Sequence, residues 1–155
     1  MNAGEAYRRL APAVLGYLRA QQAPDPEDLM GEVFLQVARD LDRFSGDDDA
    51  MRRWVFAIAH NRLLDARRRQ TRRPVISWGT MPDVPANPTP DSLDPELVSA
   101  LDTLTKEQRE VVVLRFVADL SLDDVARITR RKVGAVKALQ HRALDTLSCQ
   151  LRSPR

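Results

Sequence analysis

The 155-residue chain holds a single cysteine, Cys149, so no internal disulfide can form, and no Cys/His cluster has the spacing of a metal site. The expected protein is metal-free, needs no cofactor, and lives in a reducing compartment, the cytoplasm. Its six glycines form no phosphate-cradling loop and no nucleophile elbow, which removes the usual sequence carriers of nucleotide hydrolysis and acyl transfer. Aromatic residues reach only 5%, and the apolar content is mostly Leu, Val and Ala, a helical composition. No apolar run approaches the roughly 18 residues of a membrane-spanning helix, and the N-terminus lacks a signal-peptide core. No membrane insertion and no export are expected.

Charged residues are plentiful at 30%, and their order says more than the net value of +2. Residues 1–50 carry five bases against ten acids, and residues 51–73 carry eight against one. Residues 74–104 carry five acids and no base, and residues 105–155 carry eleven bases against six acids. Two basic blocks separated by acidic ones are the footprint of a protein touching a polyanion at two places. Solvated helix faces would leave the same pattern if charge were the only signal.

Apolar spacing divides the chain into helices. Leu10, Val14, Tyr17 and Leu18 mark a first helix ending before Pro24. Asp25-Pro26-Glu27-Asp28 reads as a helix start with Asp25 as N-cap, followed by the stripe Leu29, Met30, Val33, Phe34, Val37, Ala38 and Leu41. Ser45 to Asp49 is a polar loop. A third helix begins near Ala50, turns Trp54, Val55, Ile58 and Ala59 inward, and runs into Arg67-Arg68-Arg69. Six prolines between residues 71 and 95 mark a flexible linker that holds two domains at variable distance. Beyond it, Asp94-Pro95 starts a short helix, Thr105 to Gln108 forms a capping box, and Ser121 caps another short helix. The expected fold is all-α: two small helical domains with separate cores, residues 1–70 and 95–155, joined by an acidic Pro-rich linker, residues 71–94.

The second domain has the layout of a helix-turn-helix: a short helix from Leu122 to Ile128, a turn at Thr129-Arg130-Arg131, and a longer basic helix from about Lys132 to Leu147. Val133, Val136, Ala143, Leu144 and Leu147 share a face suited to packing. Lys137, Ala138, His141 and Arg142 lie on another and can reach base edges and phosphates together, with Arg131 and Lys132 placed for phosphates near the helix start. An ordinary amphipathic bundle helix is the plainer alternative.

The runs Leu104-Thr105-Lys106-Glu107-Gln108-Arg109-Glu110-Val111-Val112-Val113-Leu114-Arg115-Phe116, Leu120 to Ala126 and Val133 to Lys137 resemble the promoter-reading C-terminal domain of extracytoplasmic-function sigma factors, bacterial transcription initiation factors. The first half is similar to the same family through Glu27 to Phe34, Leu41-Asp42-Arg43-Phe44 and Arg53 to Arg62 with Asp65. The resemblance implies a chain that binds core RNA polymerase and promoter DNA, answers to an anti-sigma factor, and is no enzyme. It assigns Asp28, Glu32 and Gln36 to polymerase docking. Arg43, Arg52, Arg53, His60, Arg62, Arg67, Arg68 and Arg69 go to minus-ten recognition and melting, with the loop from Arg43 to Ala50 as a base pocket. Trp54 is expected in the core because it shares a face with Ile58. The minus-thirty-five element falls to Arg131, Lys132, Lys137, Ala138, His141 and Arg142.

Departures from the family pattern are Gly31 in the docking helix, Arg130 where the turn usually has Gly, Lys132 in place of a small N-cap, and Leu139-Gln140 in the recognition helix. The last opens a register in which Gln140 turns toward DNA and Leu139 fills the core. Two other classes compete: a helix-turn-helix regulator acting without polymerase, and a metal hydrolase built on Asp47, Asp48, Asp49 and His60. Three adjacent acids point in different directions and do not converge as ligands.

Overall fold

The structure, a computed structural model, describes residues 2–72 and 94–152. All regular elements among them are helical. Helix α1 (Ala3–Ala20) is capped by Asn2, whose side chain accepts from Glu5 N at 2.8 Å, and it buries Ala6, Leu10, Val14, Tyr17 and Leu18. Its end is left-handed: Gln22 has φ 55°, with Ala23 N donating to Leu18 O and Gln22 N to Arg19 O. That bonding satisfies the last carbonyls without the glycine that such an end usually carries.

Helix α2 (Pro26–Asp40) starts where expected, but Asp25 makes no side-chain cap bond and holds φ 48° instead of an extended conformation. Leu29, Val33, Phe34 and Val37 of its stripe are buried, whereas Ala38 faces solvent. A short 3-10 turn, Leu41–Arg43, leads to α3 (Asp48–Arg72). The expected polar loop is shorter than Ser45 to Asp49: Asp47 Oδ1 accepts from Ala50 N at 2.9 Å, so Asp48 and Asp49 complement the dipole of the first turn.

In the second half, α4 (Pro95–Leu101) is capped by Asp94, and α5 (Lys106–Val112) carries both bonds of the Thr105–Gln108 capping box. Helix α5 widens into a π turn, Val113–Val117, then α6 (Leu122–Thr129) and α7 (Val133–Arg152) complete the domain. Most of the expected linker, residues 73–93, lies outside the described residues; Thr71 and Arg72 still belong to α3.

The expectation of two separate cores fails. Buried apolar side chains of both halves form one contiguous cluster, from Val14, Tyr17 and Val55 through Val113, Leu114 and Val125. Helix α1 seats the π turn, and a Cβ at Gly16 would meet Val117 Cγ1 at 3.4 Å. The bare glycine lets the two backbones approach, a contact that composition alone does not announce.

Candidate nucleic-acid interface

Helices α6 and α7 form the helix-turn-helix. Ser121 Oγ accepts from Asp124 N at 3.1 Å, opening α6, and Arg130 closes it at φ 57°, ψ 42°. Arg130 N donates to Arg127 O and Arg131 N to Ala126 O, the same left-handed termination as at Gln22. On α7, Lys137, Ala138, His141 and Arg142 are all exposed, as is Lys132. The inward seam runs through Val136, Gln140, Ala143 and Leu147, with Leu139 packed at its side. Leu144, expected inward, is 41% exposed because it sits about 100° around the helix from Ala143. Gln140 does not turn outward; its Oε1 is buried.

The arginines expected on the minus-ten element fall into four groups. Arg43, Arg68 and Arg69 are exposed, Arg68 with Asp65 at 3.6 Å. Arg62 turns to α2, where Nε and Nη2 both donate to Gln36 Oε1, at 3.1 and 2.9 Å, and Nη1 lies 3.8 Å from Glu32. A residue expected on DNA is therefore joined to two expected on polymerase, and of that trio only Asp28 is fully exposed. Arg67 donates to Gln21 O at 2.8 Å and braces α1 against α3. Arg52 and Arg53 reach the second half, Arg52 Nη1 to Ala118 O at 2.9 Å and Arg53 Nη1 to Asp124 Oδ1 at 3.2 Å.

Trp54 lies at the edge of the core instead of inside it. Its ring stacks on Phe44 with centroids 5.0 Å apart and planes at 18°. The pair lines an open cavity of about 360 Å³ with Ser45, Ala50, Arg53 and Ala57, and with Arg127 and Ile128 of α6. A stacked aromatic wall beside arginines suits an unstacked base.

The family profile described as Sigma-70 region 2 matches residues 5–73, and that described as Sigma-70, region 4 matches residues 95–147. The chain is 33% identical over 132 residues to the ECF RNA polymerase sigma factor SigX of Bacillus subtilis, covering 78% of this chain and 68% of that one. The chain belongs to the ECF sigma factors. It is also 30% identical over 154 residues to the ECF sigma factor BldN of Streptomyces coelicolor, covering 94% of this chain and spanning 58% of that relative's length. The fold matches that of the sigma factor RpoE from Bartonella quintana, solved in complex with the anti-sigma factor NepR, with TM-score 0.78, 23% identity and 98% of each chain covered.

Beyond Arg62 and Arg67, two more assignments for this ECF sigma factor need correction. His60, expected to lend charge to DNA, is 5% exposed, and burial, reinforced by Arg67 and Arg131, lowers its pKa to about 4. It is neutral at pH 7. Tyr17 O–H meets Nδ1 at 3.1 Å and Nε2 lies 3.2 Å from Glu110 Oε1, a pattern that a neutral ring satisfies by accepting at Nδ1 and donating at Nε2. Arg131, expected on phosphate, instead lies 3.6 Å from Glu110 Oε2. Burial pushes the Glu110 carboxyl up while Arg131 and Arg67 pull it back, and burial pushes the Tyr17 phenol up. Glu110 lies inside the run that carries the family resemblance but drew no role there, although it stands four residues before the buried Leu114 and so shares its helix face.

Proposed function

We propose that this chain binds core RNA polymerase and directs promoter-specific transcription initiation in the bacterial cytoplasm, under the control of an anti-sigma factor. The observation that carries the reading is the presence of region 2 and region 4, in that order, in one chain. The sigma-factor names of its relatives and the anti-sigma factor bound to its structural neighbour support it. Residues 1–70 act on the minus-ten element and on polymerase, residues 95–155 on the minus-thirty-five element, and residues 71–94 connect them. Polymerase docks on α2 around Asp28, with Glu32 and Gln36 held in place by Arg62. The recognition helix α7 presents Lys137, His141 and Arg142 to bases, and Lys132 binds phosphate.

Strand opening costs a few kcal/mol per unstacked base. Arg43, Arg52, Arg53, Arg68 and Arg69 recover part of it through phosphate contacts, and the Phe44–Trp54 stack recovers more by receiving an extruded base. The protein contributes recognition and opening, and RNA synthesis stays with polymerase. Reconstitution with core polymerase and mapping of transcript starts tests the function directly. Replacing Arg52 and Arg53 with Ala should lower permanganate reactivity of promoter thymines far more than polymerase association. Unchanged thymine reactivity would sink the melting assignment.

A further inference from the structure

We propose that the cleft between α3 and the end of α6 is a binding site for a free nucleotide, whose phosphates are held by Arg68 of the first half and Arg130 of the second. The cleft has a volume of about 540 Å³, within the roughly 300–1,000 Å³ of small-ligand sites. Arg68 and Asp65 line it from α3, and Arg130 lines it from the turn after α6. Among the described residues, the Arg130 side chain has no hydrogen-bond or ion-pair partner. Its backbone nevertheless holds φ 57°, a conformation that glycine would occupy without strain. A strained residue whose charged side chain lines a cavity is a mark of a ligand clamp.

Asp65 decides which anion fits. It stands 3.6 Å from Arg68 with both side chains more than half exposed, and such a surface pair yields easily to a better partner. A bare phosphate meets the Asp65 carboxylate as a like charge. A nucleotide instead brings ribose hydroxyls that donate to that carboxylate while its phosphates take the two guanidinium forks. Asn61 adds an amide, donor and acceptor together, for the edge of a base, and Leu64 and Ile128 supply apolar wall. A cleft of this volume admits one nucleotide and no duplex.

Isothermal titration calorimetry of the full chain with ADP, adenosine and inorganic pyrophosphate reads the site. ADP should bind one to one, and adenosine about tenfold or more weakly than ADP. Arg130→Gly removes one guanidinium together with the left-handed strain, so the variant stays folded, which its urea midpoint checks. Its ADP affinity should fall about tenfold to a hundredfold, the worth of one hydrogen bond to a charged group. Asp65→Ala should lower the ratio of ADP to pyrophosphate affinity, because it removes the hydroxyl acceptor while the repulsion of phosphate is common to both ligands. No binding of ADP, adenosine binding as tightly as ADP, a folded Arg130→Gly with unchanged affinity, or an unchanged ratio in Asp65→Ala would each overturn the proposal. So would displacement of ADP by short random single-stranded DNA whose affinity falls equally in Arg130→Gly, since the cleft would then belong to the DNA-binding surface.

Discussion

Arg130 holds a left-handed backbone at φ 57°, which costs a residue with a Cβ about 1 kcal/mol or more. Arg130→Gly removes that strain but adds unfolded-chain entropy, so a net gain of about 0.5 kcal/mol is expected, read as a higher urea midpoint. The strain was legible at Arg130 because a glycine is usual there; at Gln22 and Asp119, also left-handed, no such contrast exists. His60 makes a second prediction. Its pKa falls from 6.5 to about 4 on burial, so an exposed ring binds more protons than the folded one between those values. Folded stability from this group is intact above pH 6.5 and is lost as pH drops toward 4. Glu110 works against it, because a raised carboxyl favours the folded state as pH falls. Urea midpoints across pH should therefore decline less with acid in His60→Gln than in the wild-type chain, and more in Glu110→Gln. Parallel curves for all three would contradict the assigned protonation states.

Among the elements, α7 carries the sharpest division of labour. Arg142→Ala should cost roughly 1–3 kcal/mol on the preferred minus-thirty-five sequence and little on a scrambled one, whereas Lys132→Ala should weaken both alike. Binding titrations on the two DNAs distinguish these outcomes. On α2, Gly31 is exposed and a Cβ added there would meet nothing within 4 Å, so Gly31→Ala should stabilise the chain by about 0.5–1 kcal/mol in thermal or urea melts. Helix starts were well announced: Asp94, Thr105 and Ser121 cap as their chemistry requires. Asp25 did not, because its left-handed backbone turns the carboxylate away from the first turn's N–H groups. Leu144 and Ala38 were misplaced for a shared reason. Periodicity fixes a stripe only to within one residue at its edges, and the partner helix decides which edge is covered.

At the scale of the whole molecule, the helical class and the order of the two modules were legible, and the contact between them was not. Local patterns report what each helix buries, but Gly16 against Val117 and His60 against Glu110 pair residues remote in sequence. The Arg53–Asp124 pair carries this into the language of counterions. Each phosphate neutralised by the chain releases condensed cations, so affinity falls with salt by a slope of about 0.9 per phosphate. If Arg53 contacts DNA as proposed, salt also screens it from Asp124 and frees it for phosphate, which restores affinity as it is being lost. The chain should accordingly show a shallower slope of log affinity against log salt than an Asp124→Asn variant, although both offer DNA the same arginines.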